Sequence, residues 1–140
     1  MSYEHKVQYY ETDQMGVVHH SNYIRWFEEA RTAWMEEGGF SYANMEELGI
    51  ISPVLEVEAK YKSMSRYGEV VQLDVAVEKY NGIRLVVNYV VSDKETGEVR
   101  CTGLSKHCFL NKDGKPVHLK KVAPKHDEMF QDFLRNTHSL

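Results

Sequence analysis

The chain is poor in the features that mark specialised protein classes. It has two cysteines and three prolines in 140 residues. No stretch approaches the roughly 18 consecutive apolar residues that a membrane-spanning helix needs, so no membrane partner is expected. Residues 1–6 lack the apolar core of a signal peptide, and the cytoplasm is therefore the expected location.

The two cysteines, Cys101 and Cys108, are not expected to pair. If they share a strand, a separation of seven residues places them on opposite faces and ~23 Å apart, which excludes a disulfide. The sequence contains neither a CxxC nor an HExxH motif. The adjacent His19 and His20 with one aspartate match no metal-ligand spacing. We therefore expect no metal site and no redox or nucleotide cofactor.

An excess of basic residues is also absent. The chain has 17 Lys+Arg against 21 Asp+Glu, a net charge of −4 and a pI near 6.0. Nucleic-acid binding needs a concentrated basic face, so no nucleic-acid partner is expected. A composition of 42% hydrophobic and 27% charged residues is typical of a globular protein. The length predicts a single domain over residues 1–140.

Hydrophobic periodicity predicts a strand over residues 3–13, a connection over 14–19, and then a long amphipathic helix. The apolar residues with helical spacing are Tyr23, Trp26, Phe27, Ala30, Ala33 and Trp34. Ser21 or Asn22 is predicted to cap the start of this helix. The glycines at 38–39 are predicted to end it.

After residue 50 the apolar residues alternate with polar ones, as in strands with one buried face. Strands are predicted over 55–62, 71–78, 83–92 and 98–110, a short helical turn over 42–48, and a final amphipathic helix from Pro124. The turn at residues 81–82, Asn-Gly, is a strong hairpin signal. This order indicates an α+β fold with an antiparallel sheet. Val86 and Val90 on the more polar face indicate that another subunit covers part of that face.

The segment over residues 9–23 carries a candidate acyl-transfer site. Asp13 precedes His20, at the predicted helix start, by seven residues, and Gly16 lies between them. The first N–H groups of a helix have no partner within it and can stabilise an oxyanion. A carboxylate can act as a nucleophile or as a base for water. From spacing alone, an aspartate here is more often a cap or turn residue, so both interpretations stay open.

The same segment has a recognisable pattern, Tyr-x-x-x-Asp-x-x-Gly-Val-Val-x-His-x-x-Tyr. Its positions are Tyr9, Asp13, Gly16, Val17, Val18, His20 and Tyr23. The pattern resembles the signature of the 4-hydroxybenzoyl-CoA thioesterase family of hotdog-fold acyl-CoA thioesterases. The aromatic helix at 24–31 and the segment at 66–70 are similar to that family too, and the resemblance covers residues 4–125.

This resemblance implies a hotdog fold, in which a five-stranded antiparallel sheet wraps around a long central helix. It implies hydrolysis of acyl-CoA thioesters by homodimers or homotetramers with active sites at subunit interfaces. Coenzyme A is part of the substrate, and no further cofactor is implied. Asp13 falls on the family's catalytic carboxylate, and His20 on the position whose backbone N–H contacts the thioester carbonyl. Tyr9 falls on an aromatic position that accompanies them in one branch.

Further residues are expected to line the substrate site. Gly16 would let the backbone approach the acyl group. The expected lining residues are Met15, Val17, Val18 and Tyr23, with Ile51 and Pro53 from a neighbouring subunit. Lys60 and Arg66 are expected to face the phosphates of coenzyme A.

Three alternatives to an acyl-CoA thioesterase are considered. A thioesterase for acyl groups on acyl carrier protein would need a local basic patch, which Lys120, Lys121 and Lys125 could supply. A non-catalytic acyl-CoA-binding module would not need Asp13 beside the reacting carbonyl. A dehydratase of the same fold would carry a different His/Asp or His/Glu placement on the central helix, which this sequence lacks.

Overall fold

The computed structural model describes residues 2–138, in which a five-stranded sheet wraps around one long helix. The strands are β1 (Ser2–Lys6), β2 (Val54–Tyr61), β3 (Val70–Tyr80), β4 (Arg84–Asp93) and β5 (Val99–Cys108). The helices are α1 (Ser21–Glu37), α2 (Tyr42–Glu47), α3 (Leu119–Val122) and α4 (Pro124–His138). The strand order is β1-β3-β4-β5-β2 and every pairing is antiparallel. The α+β prediction is confirmed.

The apolar stripe of α1 forms the centre of the core. Its predicted residues are buried except Ala33, which is half-buried. Phe27 stacks on Tyr89 of β4, with ring centroids 4.4 Å apart. A Cβ on Gly103 of β5 would lie 2.5 Å from the Phe27 ring and 2.5 Å from the Glu58 carbonyl oxygen. Glycine at this position therefore lets the helix and β2 approach β5 closely.

The predictions for the later elements are confirmed, with strand ends shifted by one or two residues. The 42–48 turn is α2, and α4 starts at Pro124 as expected. In the hairpin turn, Gly82 has a φ of +88°, and Asn81 Oδ1 accepts hydrogen bonds from the backbone amides of Ile83 and Arg84. Both cysteines are free and buried. Helix α3 was not predicted, because four residues carry no periodicity.

Two predictions near the N-terminus are wrong. The first strand ends at Lys6 instead of continuing to residue 13, because the chain then turns through a short 3-10 helix, Tyr9–Glu11. The Glu11 carboxylate accepts a hydrogen bond from the Gln8 amide and closes this turn. Neither proposed residue caps α1: Asn22, inside the helix, donates its side-chain amide back to the Glu11 carbonyl.

The outer surface of the sheet is largely uncovered. Val86 is half-buried and Val90 is exposed, so their coverage by another subunit stays a prediction. Among the described strands, β2 pairs only with β5, and it is exposed on both faces except at the half-buried Ala59. Within residues 2–138, none of the helices has the length and apolar character needed to cross a membrane.

A chain of buried polar groups crosses the core beneath α1. Arg31 donates to the hydroxyls of Tyr42 (2.7 Å) and Tyr89 (3.0 Å). The Tyr89 oxygen lies 2.6 Å from Ser105 Oγ, which lies 2.7 Å from His107 Nε2. A guanidinium can only donate. In the arrangement that runs outward from Arg31, the Tyr89 and Ser105 hydroxyls each donate to the next group and Nε2 of a neutral His107 ring accepts, while Nδ1 of that ring has no hydrogen-bond partner among residues 2–138.

The buried His107 predicts an acid-sensitive stability. Burial, aided by the nearby charge of Arg31, lowers the pKa of His107 from 6.5 to about 4. As the pH falls from 6.5 to 4, His107 therefore binds a proton in the unfolded chain but stays neutral in the folded chain. Stability is retained above pH 6.5, and about 3 kcal/mol is lost by pH 4.

Urea unfolding of the wild type and His107→Gln at pH 7 and pH 4.5 measures this loss. The variant is expected to lose less stability on acidification, because the glutamine oxygen can accept from Ser105 without titrating. Equal losses for the two proteins would contradict this origin of the acid sensitivity.

Candidate active site

A tight turn places Asp13 at the tip of a hairpin formed by residues 11–19, called here the 11–19 hairpin. The Asp13 amide donates to the Val17 carbonyl (2.9 Å), and the Gly16 amide donates to the Asp13 carbonyl (3.0 Å). Gly16 has a φ of +77°, the left-handed position of a three-residue hairpin loop. An added Cβ on Gly16 meets nothing within 4 Å. Within this chain, backbone conformation alone therefore requires glycine here.

The carboxylate of Asp13 is only partly used by the turn. Its Oδ1 accepts a hydrogen bond from the Met15 amide at 2.8 Å, which is the geometry of an Asx turn. Asp13 therefore does serve as a turn residue, which is one of the two interpretations that the sequence left open. Oδ2 accepts no hydrogen bond from any group in residues 2–138, and the side chain is half-exposed. One oxygen thus remains free to act on a ligand.

The entry to α1 offers fewer free amides than the sequence suggested. The Val18 amide donates to the Ser65 carbonyl (2.9 Å), and the His19 amide donates to the Glu11 carbonyl (2.9 Å). The next amide, of His20, donates to no acceptor within the described part of the chain. His20 is exposed. A single helix-entry N–H is therefore available to a ligand.

Aromatic residues flank this free amide. The hydroxyl of Tyr61, at the end of β2, donates to the His20 carbonyl (3.2 Å), and the two rings meet edge to face at 6.0 Å. The His19 ring lies 4.2 Å from the His20 ring. Sequence reasoning missed Tyr61. Tyr61 lies on the same face of β2 as Val57 and Ala59, four and two residues earlier, and this spacing is the signal that could have placed it against the helix.

The predicted lining residues divide into a buried and an exposed group. Val18 and Tyr23 belong to the hydrophobic core, and Val17 is buried where it bridges to Arg66. Met15 is 76% exposed at the tip of the 11–19 hairpin. Contact of any of these with a substrate stays a prediction.

The other predicted site residues, Tyr9, Arg66 and Lys60, do not all lie beside the 11–19 hairpin. Tyr9 is 77% exposed, and its ring meets Tyr67 edge to face at 5.7 Å. Arg66 lies beside the hairpin through its bridge to Val17. Lys60 alternates with Tyr61, so it lies on the opposite face of the sheet, 3.6 Å from Glu58. Within one chain, the structure brings Arg66 but not Lys60 to the hairpin.

Sequence reasoning also missed Glu11. The residue is 4% exposed, and its carboxylate accepts three hydrogen bonds, from Gln8 N (2.8 Å), His5 Nε2 (2.8 Å) and Trp26 Nε1 (2.7 Å). Burial raises the pKa of Glu11, but these hydrogen bonds, led by that of His5, outweigh it and hold the pKa below its ordinary value. The Gln8-x-x-Glu11 spacing, which resembles a capping box, is the signal that could have found it.

Comparison with known proteins identifies the family. Residues 7–134 match the Thioesterase-like superfamily. The chain is 38% identical over 122 residues to the putative acyl-CoA thioesterase YneP of Bacillus subtilis (strain 168), covering 86% of this chain and 88% of that protein. It is 28% identical over 112 residues to the acyl-CoA thioesterase YbgC of Haemophilus influenzae, covering 75% and 82%.

The fold comparison agrees with the sequence comparison. The crystal structure of a DHNA-CoA thioesterase from Staphylococcus aureus matches with a TM-score of 0.89 at 39% identity, covering 94% of this chain and 88% of that one. The expected hotdog fold and the resemblance to the 4-hydroxybenzoyl-CoA thioesterase family are thereby confirmed. With its sheet, its central helix and the 11–19 hairpin, the chain belongs to the thioesterase-like superfamily of hotdog proteins.

Proposed function

We propose that the chain hydrolyses acyl-CoA thioesters to a free acid and coenzyme A. One observation carries the proposal: the 11–19 hairpin holds a carboxylate with an uncommitted oxygen, on Asp13, and the residue that follows the hairpin, His20, has an uncommitted helix-entry amide. Thioester hydrolysis needs a group that attacks or activates water and a donor that stabilises the oxyanion. The relatives named acyl-CoA thioesterases support this substrate class.

In the proposed mechanism the thioester carbonyl oxygen accepts the N–H of His20, which stabilises the negative charge that develops there. In one route Asp13 attacks the carbonyl carbon, the C–S bond breaks, and coenzyme A leaves as a thiolate. Water then cleaves the mixed anhydride and restores the Asp13 carboxylate.

In the other route Asp13 takes a proton from water as the water oxygen attacks the carbon. The tetrahedral intermediate then collapses, and the proton passes to the departing thiolate. A free thiol has a pKa of roughly 8.5, so its departure needs little assistance from an acid. The His20 ring can relay this proton from Asp13 to the thiolate, which restores both side chains. Neither route uses a resident cofactor. The cytoplasm stays the expected location.

Substitutions at Asp13 test the role of the carboxylate. Asp13→Asn keeps an oxygen for the Met15 amide, so the turn should persist while the negative charge is lost. We expect kcat/KM to fall by at least about 100-fold. Asp113, an exposed turn residue, provides the control: Asp113→Asn should keep full activity. A folded Asp13→Asn or Asp13→Ala protein with near-native turnover would refute the mechanism.

The assay is release of free thiol from short, medium, long and aromatic acyl-CoAs. Parallel reactions with acyl groups on acyl carrier protein test the first alternative. Saturable binding of acyl-CoA without thiol release would instead support the binding module.

The backbone amide of His20 can be removed separately from its side chain. His20 has a φ of −54°, which proline can adopt, and its N–H has no partner in the described chain. His20→Pro is therefore expected to lower kcat by about 10²–10³-fold, the usual cost of one oxyanion donor. His20→Ala keeps the amide and should give only a partial loss. Similar losses in the two variants would show that the amide is not the donor.

Gly16 offers a matched test of backbone approach to the acyl group. Gly114 has nearly the same φ, +76° against +77°, and an added Cβ there also meets nothing within 4 Å. Gly16→Ala and Gly114→Ala should each cost about 1–2 kcal/mol of stability through the left-handed backbone. Only Gly16→Ala is expected to abolish most turnover. Equal activity of the two variants would remove Gly16 from the site.

We also propose that two copies pair through the free edge of β2, forming a homodimer or a homotetramer built from such dimers. An unpaired strand edge presents a row of free backbone groups. Two-fold antiparallel pairing centred on Ala59 places Glu58 opposite Lys60 of the second copy. It also places Val57 opposite Tyr61 of the second copy. A centre on Val57 would place Glu56 opposite Glu58, a repulsive pair.

This pairing would complete the site. Because Tyr61 touches His20, Val57 of the second copy would lie near the free amide. The segment before β2, with Ile51 and Pro53, would then extend along the same side and provide an apolar wall for the acyl chain. Ile51 is 50% exposed in the single chain and is available for such a contact.

Charge exchange on β2 tests this register. Glu58→Lys places like charges opposite each other twice per dimer and should weaken the dimer roughly tenfold. The double variant Glu58→Lys/Lys60→Glu should restore it. Analytical ultracentrifugation at low salt gives the dissociation constants. A dimer insensitive to the single change, or one not restored by the double change, would contradict the centre on Ala59.

A further inference from the structure

Glu11 is a charged residue in a position that packing alone would fill with an apolar one. Burying a carboxylate is costly unless its oxygens are fully hydrogen-bonded. The protein meets that requirement with three donors, one of them the indole N–H of Trp26. The pKa of Glu11 is held below its ordinary value, so the group is ionised at neutral pH.

The side chain and the backbone of Glu11 reach α1 at different points. Its carbonyl accepts the His19 amide (2.9 Å) and the side-chain amide of Asn22 (2.9 Å), at the entry to the helix. Its carboxylate accepts Trp26 Nε1 (2.7 Å), four residues farther along the helix. Two attachments by one residue restrict rotation of the 11–19 hairpin about the helix entry, whereas the backbone contact alone would allow it to pivot.

We propose that Glu11 is a positioning residue that sets the His20 amide relative to Asp13, an inference that rests on the proposed function. Glu11 lies two residues before Asp13, and its carbonyl fixes the residue before His20. Its ionised carboxylate then locks this unit to Trp26. The carboxylate acts through the backbone and does not touch the substrate.

Glu11→Gln is the primary test, because glutamine has the same size but brings an NH₂ group into a pocket of donors. A misplacement of about 1 Å at a reacting centre can cost 10²-fold in rate. We expect kcat to fall by about 10- to 100-fold while KM changes less than about threefold. Trp26→Phe keeps an aromatic ring but removes the indole donor, and it should lower kcat in the same way.

The His20→Pro background separates positioning from general damage. If Glu11 acts through the His20 amide, Glu11→Gln should cause less than about a twofold further loss of kcat once that amide is gone. The matched control is Asp127→Asn, a second buried carboxylate, which accepts from Tyr80 and Gln131 on the far side of the molecule. It should lower stability but leave kcat unchanged at temperatures where the protein is folded.

Two kinetic outcomes overturn the proposal: an unchanged kcat in folded Glu11→Gln, or an equal loss of kcat with and without the His20 amide. Hydrogen exchange of the amides in residues 12–20 gives an activity-independent readout. Glu11→Gln should speed this exchange and Asp127→Asn should not; unchanged exchange also overturns the proposal. A wild type that releases thiol from no acyl-CoA would instead refute the proposed function, while the exchange experiment would still decide the role of Glu11.

Discussion

The candidate site depends on the hydrogen bonds that hold the 11–19 hairpin against the start of α1. The His19 amide and the Asn22 side chain both donate to the Glu11 carbonyl. On the other side, the Val18 amide donates to the Ser65 carbonyl, and the Tyr23 hydroxyl donates to Ser65 Oγ. These contacts occupy the nearby carbonyl acceptors of Glu11 and Ser65, and the His20 amide has no acceptor within residues 2–138. The free amide is thus a product of the surrounding network.

Much of the fold could be predicted from the sequence, because it follows from strong local periodicity. The helical stripe through Trp26 and Phe27 placed α1, and alternation placed the four later strands to within two residues. The N-terminal region was predicted less well. There, the strand ends at Lys6 because the chain enters a turn that the buried Glu11 carboxylate closes. The Asn22 side chain donates to the Glu11 carbonyl of the hairpin instead of capping the helix. Both effects depend on tertiary contacts that no local pattern records.

The candidate site was predicted in part for a similar reason. A pattern of residue types located Asp13, Gly16 and His20 on one short segment. It could not tell which backbone amides stay free, because that depends on acceptors such as Ser65, which lies 47 residues after Val18. Nor could it find Tyr61, whose contact with the helix entry arises from the path of β2. Spacing along the chain identifies chemistry-bearing side chains more readily than the main-chain groups that act with them.

The Asx turn at Asp13 has an evolutionary consequence. One carboxylate oxygen shapes the loop, and the other is free for chemistry. Asparagine supplies the shaping oxygen equally well but cannot attack a carbonyl or accept a proton from water. If Asp13 acts as proposed, a single codon change in a duplicated gene would therefore turn a hydrolase of this design into a carrier that retains its thioester intact, with no need to refold.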